Sequence, residues 1–247
     1  MIYHIDSGGV RRKAVRLVYF NPCREDPYEL KKLFVGDRQV FGPAYKLVWE
    51  IEAEFNPAVQ PDPVVIPVDG KYRITCVGRG GLSYDNGVPY PPSDARVAGG
   101  GSGGRAVAVR DLTAGTALII DLKRKTGEDM FGVRVSIAGE PYPLCLADDG
   151  QNAWFNTITG LAVGGTGGGA YYGDTELSSR GNEGTEAHIP DDIGEMHGNG
   201  GKSVSDPFEY GAGETCYLNT NGFFVKNVDA DRGRTKNGLV RIERIVE

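Results

Sequence analysis

Gly99-Gly100-Gly101-Ser102-Gly103-Gly104 and Gly164-Gly165-Thr166-Gly167-Gly168-Gly169 are the two stretches on which the reading of this chain turns. A shorter cluster, Gly78-Arg79-Gly80-Gly81, precedes them, and glycines continue sparsely at Gly173, Gly181, Gly184, Gly194, Gly198, Gly200 and Gly201. Glycine loses more backbone freedom on folding than any other residue, so ordering such segments is costly. A chain that keeps them either leaves them mobile, as a Gly/Ser linker does, or needs backbone shapes that a Cβ would forbid. Two features favour the second reading. The clusters lie between apolar strand-like runs, and they carry Tyr84, Tyr90, Tyr171, Tyr172, His188, Ile189, Ile193 and Met196, residues that linkers seldom hold.

Outward from the clusters the text is strand-like. In Lys71-Tyr72-Arg73-Ile74-Thr75-Cys76-Val77 apolar and polar residues alternate, the pattern of a half-buried strand. Residues 105–110 and 116–122 are two further runs, joined by a turn whose expected positive-φ residue is Gly115. Residues 131–137, 144–147, 154–155, 161–163, 216–218, 222–225 and 238–246 continue the series. Before them, residues 2–5, 15–20 and 45–51 read as strands. Residues 28–32 suggest one helical turn. Leu33-Phe34-Val35-Gly36-Asp37-Arg38-Gln39-Val40-Phe41 reads as a hairpin about Gly-Asp, because glycine accepts the positive φ of a tight turn. Pro57, Pro61, Pro63 and Pro67 stiffen a connector, which places a boundary near residue 60. The expected architecture is all-β: a small hairpin segment, residues 1–60, then a glycine-rich domain, residues 61–247, of sandwich or jelly-roll type.

Composition narrows the function. Among 247 residues glycine numbers 37, against roughly 17 at average usage. The net charge of -6 argues against nucleic acid as a main partner, since phosphate binding needs a basic field. Cys23, Cys76, Cys145 and Cys216 form no CxxC pair, and Cys76 and Cys145 sit in apolar runs as small buried residues do. The first residues lack a charged and apolar leader, so synthesis in a cytoplasm is expected. No apolar run is long enough to insert in a membrane.

Taken in order, several segments resemble one known family. They are Ile74-Thr75-Cys76-Val77-Gly78-Arg79-Gly80-Gly81, then Arg105-Ala106-Val107-Ala108-Val109 with the turn Leu112-Thr113-Ala114-Gly115, then Leu118-Ile119-Ile120-Asp121-Leu122. The later glycine stretch and the closing Asn237-Gly238-Leu239-Val240-Arg241-Ile242 follow. This succession is similar to the glycine-rich β domain of bacteriophage tail-fibre and tail-tip proteins. Lys31-Lys32-Leu33-Phe34-Val35-Gly36-Asp37-Arg38-Gln39-Val40 resembles a strand-turn-strand segment of phage tail and baseplate proteins. The resemblance implies a virion tail protein, made in the host cytoplasm, that displays loops for host-surface receptor binding, without catalysis or cofactor. The partners it implies are other phage tail proteins and a bacterial surface glycan or outer-membrane receptor, with a homotrimer as one assembly. Two other roles stay open: a purely structural baseplate component without host contact, and a glycan-degrading virion enzyme.

Binding residues are expected on loops carried by a rigid scaffold. Tyr84, Tyr90, Tyr171 and Tyr172, with Trp154, are the candidates, because tyrosine gives broad amphipathic contact at low entropic cost and glycine neighbours leave its ring uncovered. The competing expectation is that these rings pack beneath the loops. Other chemistry fits less well. Gly201-Lys202-Ser203 lacks the upstream glycine of a phosphate loop, with Met196 in its place. Gly99, Gly101 and Gly104 have dinucleotide-loop spacing, but a strand-like run follows them where a helix is needed. Asp229 and Asp231 begin like a calcium loop, which Arg234 then breaks. His188, Asp191, Asp192, Glu195 and His197 are donors on no rigid element, and no metal is assigned to them. Carboxylate pairs such as Glu183 with Asp174 could in principle do acid–base work on a glycan, but the sequence does not place them at the separation this needs.

Overall fold

In this computed structural model the described residues are 44–54, 60–87, 96–122, 132–187, 196–205, 210–218 and 223–246, with six short strands before them. Those six form three antiparallel pairs: β1 (Tyr3–Ile5) with β2 (Arg11–Lys13), β3 (Val18–Tyr19) with β4 (Tyr28–Glu29), and β5 (Leu33–Val35) with β6 (Arg38–Phe41). β5 and β6 flank Gly36-Asp37 as the hairpin reading requires. The helical turn expected from residue 28 is instead a strand at Tyr28–Glu29. A helix nucleus fixes several residues for one hydrogen bond, whereas pairing with Val18–Tyr19 uses the bonds at once.

The remaining strands are β7 (Ala44–Ala53), β8 (Val64–Val65), β9 (Gly70–Val77), β10 (Tyr84–Asp85), β11 (Val97–Ala98), β12 (Arg105–Leu112), β13 (Ala117–Asp121) and β14 (Val133–Ile137). After them come β15 (Pro143–Ala147), β16 (Trp154–Asn156), β17 (Leu161–Val163), β18 (Ala170–Tyr171), β19 (Glu186–Ala187), β20 (Met196–Gly198), β21 (Thr215–Leu218), β22 (Phe224–Asn227) and β23 (Gly238–Val246). No helix occurs among the described residues, and the protein is all-β. The chain divides into two compact units: Met1–Lys46 with Ile245–Glu247, and Leu47–Arg244. Residues 47–53, grouped by the sequence with the N-terminal segment, belong by pairing to the larger unit, because β7 is the edge strand of its four-stranded sheet.

That sheet has the order β12-β9-β23-β7, and a five-stranded sheet has the order β18-β15-β14-β13-β8. The alternation read in β9 holds, with Tyr72, Ile74 and Cys76 buried. From the other sheet Leu118, Ile120, Val133, Val135, Leu144 and Cys145 meet them in one core. Burying a side chain of this size is worth about 1.5–3 kcal/mol, so these residues anchor the sheet end of the molecule. Gly115 takes the expected left-handed turn, with φ 86°.

The glycine clusters do something else. They are neither linkers nor loops but a second interior built almost wholly of backbone. Residues 99–104 are all buried, and their amides donate with a period of three. Gly99 and Ser102 donate to Thr185 and Asn182 (2.9 and 2.8 Å), and Gly100 and Gly103 to Glu214 and Gly211 (2.9 and 2.8 Å). Gly101 and Gly104 donate to Gln151 and Asp148 (2.9 and 3.0 Å). Three residues per turn without internal bonds is the extended left-handed helix otherwise seen in proline-rich chains and collagen. Three more segments donate inward: Gly165 and Gly168 to the Gly99 and Ser102 carbonyls, Gly81 and Gly78 to those of Gly101 and Gly104, and Gly201 to that of Gly100.

Six segments therefore surround one. Around the rim each bonds the next: 78–82 to 148–153, 148–153 to 164–169, 164–169 to 181–185, 181–185 to 199–203, 199–203 to 211–214, and 211–214 back to 78–82. The demand on glycine here is for space rather than for positive φ. A Cβ on Gly99, Gly100, Gly101, Gly103 or Gly104 would lie closer than 3.0 Å to a neighbouring segment's carbonyl oxygen, which real Cβ atoms essentially never do. Ser102 is the one side chain in the central segment, and its Oγ accepts the Asn182 amide at 2.7 Å. Buried amides and carbonyls must be paired, and a close-packed bundle meets that requirement without a sheet.

Candidate functional site

The lattice has two ends. Residues 78, 104, 148 and 169 adjoin β9, β12, β15 and β18 of the sheets. From the opposite end the chain makes four excursions. These are β10 to β11, the β16–β17 hairpin, β19 to β20, and the β21–β22 hairpin. They meet there: β10, β11 and β19 form one sheet and β20, β21 and β22 another, β11 lies against β20 and β21, and β17 against β11 and β19. Beneath this tip a small apolar cluster of Ala98, Ala153 and Ala162 receives Tyr84, whose ring stacks on Phe155 with centroids 6.0 Å apart.

Among the described residues of the tip several large apolar side chains are exposed. On the β16–β17 hairpin Ile158, at the turn, is 95% exposed and Trp154 50%, with Leu161 on the same hairpin, and Phe223, just before β22, is 68% exposed. Two ion pairs brace the elements below: Lys226 Nζ to Asp85 at 2.6 Å and Lys236 Nζ to Glu214 at 2.9 Å. Burial pushes the Glu214 carboxyl up, but the bonds from Lys236 and from the Ser83 hydroxyl and amide outweigh it and hold it below the usual range. Burial raises the Cys216 thiol to about 12, with Asp85 adding to the effect, so Cys216 is no nucleophile near neutral pH.

The expected binding residues thus part company. Trp154 stands on the tip, and Tyr84 packs under it. Tyr171 and Tyr172 are exposed elsewhere, on the lattice flank near the sheets. Tyr90 lies outside the described residues. So do His188, Asp191, Asp192 and Glu195 of the suggested metal donors, and His197 falls on β20. The glycine backbone groups of the lattice bond one another and are not free to meet a ligand. Ile158 and Phe223 escaped the sequence reading, although an apolar residue inside the polar turn Asn156-Thr157-Ile158-Thr159-Gly160 is a signal of an exposed contact.

Comparison with protein-family models, with curated proteins and with solved structures finds no match for this chain.

Of the carboxylates weighed for glycan cleavage, Asp174 is engaged. Burial tends to raise it, but the Arg110 guanidinium at 2.9 Å and the Val109 amide at 2.8 Å hold it below the usual range. A general acid needs the opposite shift. Asp148 does have a raised carboxyl, at about 6, first through burial and then through the neighbouring charge of Asp149, against a hydrogen bond from Tyr171. Because the folded state holds this proton above the ordinary 3.8, stability falls as pH rises from there to about 6 and stays lowered above it. Asp148→Asn is expected to remove that fall and raise stability at pH 7 by about 1 kcal/mol, after allowing for the solvent-screened part of the group. Urea melts at pH 4 and pH 7 check it, and an unchanged pH 7 midpoint would refute it.

Proposed function

We propose that this chain is a bacteriophage tail adhesin, a tail-fibre or tail-tip protein that carries a host-receptor site on the far end of its glycine lattice. One observation carries the reading. Four separate excursions of the chain are held at one end of a backbone-packed bundle, and two of them, the β16–β17 and β21–β22 hairpins, carry the exposed apolar side chains Trp154, Ile158, Leu161 and Phe223. Exposed aromatic and large apolar side chains at the end of a rigid support are the kind of anchor that protein-binding sites use. A rigid support that carries its exposed side chains on separate excursions can keep stability apart from specificity, since the excursions contribute little to the bundle's own bonds. The resemblance of the clusters to phage tail proteins supports the same reading.

The test is competition. Purified chain should block adsorption of particles that carry it. The triple variant Trp154→Ser, Ile158→Ser, Phe223→Ser should lose at least about tenfold in potency, the equivalent of 1.4 kcal/mol. Its melting temperature should stay within about 3 °C, because surface changes rarely exceed 0.5 kcal/mol each. Full competition by the variant would sink the receptor reading and leave a structural tail component as the better account.

The N-terminal hairpins fit attachment to other tail proteins, since isolated two-stranded pairs are marginal and seek partners. A chain that begins at Ala44 keeps β7 in its sheet and should fold, yet fail to join particles. Normal incorporation of that chain would refute the attachment role.

A further inference from the structure

The flank of the lattice holds a recess of about 570 Å³, near the sheet end and apart from the tip. Asp148, Gln151, Thr166, Tyr171, Tyr172 and Arg180 line it, and between them glycines leave the wall bare of side chains. Tyr172 has φ 60° and is the one non-glycine residue with positive φ among the described residues. Such a conformation costs on the order of 1 kcal/mol or more, and it persists only where the surroundings impose it.

Here the surroundings are explicit. Immediately after Tyr172 the chain is fixed to β12: the Asp174 amide donates to the Val107 carbonyl at 2.6 Å, and the Asp174 carboxylate accepts from Val109 and Arg110. Ser178 Oγ accepts the Val107 amide at 3.1 Å. The strained backbone leaves the Tyr172 ring 55% exposed, stacked on Tyr142, itself 69% exposed, with centroids 6.4 Å apart. Tyr171 is held differently, its ring over Gly169 and its hydroxyl on the Asp148 carboxylate.

The same recess is lined by a carboxylate, an amide, a hydroxyl and a guanidinium, those of Asp148, Gln151, Thr166 and Arg180. That mixture suits a polyhydroxylated ring, whose C–H face stacks on an aromatic side chain while adjacent hydroxyls bridge carboxylate and guanidinium. A phosphorylated ligand fits worse, because Asp148 and Asp149 line the same recess and the chain is net negative. We propose that this flank recess is a binding site for a neutral saccharide, with Tyr172 as its stacking platform and the Asp148–Tyr171 pair as its polar edge. The site stands on its own geometry and does not depend on the receptor reading of the tip.

The experiment is titration of the full chain with neutral di- and trisaccharides of glucose, galactose and mannose, followed by saturation-transfer NMR. A second arm uses beads coated with neutral polysaccharide, which separates a surface glycan from a free sugar as the source. At least one probe should bind at about 10 mM or below, in the weak range of small polar ligands. Tyr172→Gly should cut that binding at least about tenfold. Its melting temperature should hold within about 2 °C, since glycine takes φ 60° without strain and so offsets its own entropic cost. Binding by none of the probes, or by Tyr172→Gly as well as by the unmodified chain, would overturn the proposal. So would a large fall in melting temperature with binding retained in the cold, which would make the ring structural. The tip triple variant should bind saccharide normally, so failure at one site is read separately from failure at the other.

Discussion

Gly101→Ala is expected to prevent folding or to lower the melting temperature by at least about 10 °C, a loss of roughly 4 kcal/mol or more for a chain of this size. The added methyl would fall on the Thr166 carbonyl oxygen, with the Gly165 carbonyl next to it at 2.8 Å. Neither neighbour is a flexible side chain that can swing away. Both belong to a segment that also bonds residues 148–153 and 181–185, so one displacement opens several hydrogen bonds. An orphaned buried amide or carbonyl costs about 1–3 kcal/mol each. Gly115→Ala is the control. Gly115 has φ 86° and open space where the Cβ would go, so only the left-handed penalty of roughly 1–2 kcal/mol applies. Circular-dichroism melts of the two variants distinguish lack of space from lack of conformational freedom. A Gly101→Ala melt within about 3 °C of the parent would mean that the lattice dilates at little cost, and the close-packed account would fail.

The sheets were legible because alternation is a local signal. Tyr72, Ile74 and Cys76 can face one core only if the run is a strand, and the turn ending at Gly115 follows from that. The lattice was not legible, although its residues drew attention first. Collagen shows an every-third glycine because each chain meets one crowded axis. Here the central segment is enclosed on six sides, so five of its six residues are glycine and no period remains to be seen. An outer segment needs glycine only where it approaches a neighbour. Residues 148–153 carry a single glycine, Gly150, and nothing marks them as lattice. The exposed tyrosines were found by type, but their positions depend on which end of the bundle each connection leaves. That is a property of topology, and it set Tyr171 and Tyr172 on the flank, Trp154 on the tip and Tyr84 beneath it. Tyr142 was missed because the ring it stacks on, Tyr172, is thirty residues away in the sequence.

In the sequence Arg79 is the one side chain within the cluster Gly78-Arg79-Gly80-Gly81, and its removal should cost nearly as much as Gly101→Ala. The side chain is fully buried where β9 passes into the lattice. Its Nε donates to the Glu54 carbonyl at 2.5 Å, just past β7, and its Nη2 to the Leu122 carbonyl, just past β13. These are strand-end carbonyls from the two different sheets. Nη1 lies 3.2 Å from Asp149 Oδ2, and the Arg79 amide donates to Asp149 Oδ1 at 2.7 Å. One guanidinium thus ties both sheets to the first residues of the lattice, in a place where a carbonyl left unpaired has no solvent to turn to. Arg79→Met keeps much of the volume and removes the charge. It should destabilise by about 3–5 kcal/mol, because the buried Asp149 charge loses the guanidinium that faces it, and lower the melting temperature by roughly 10 °C. Adding Asp149→Asn to it should recover part of the loss, since the uncompensated charge goes while the acceptor for the Arg79 position's amide remains. Arg110→Gln breaks an ion pair of similar length whose side chains are 39% and 34% exposed, and should cost about 1 kcal/mol or less. Chemical denaturation of the four proteins measures all of this. If Arg79→Met loses no more than Arg110→Gln, the junction does not depend on the buried pair, and the sheets and the lattice are held together by apolar packing instead.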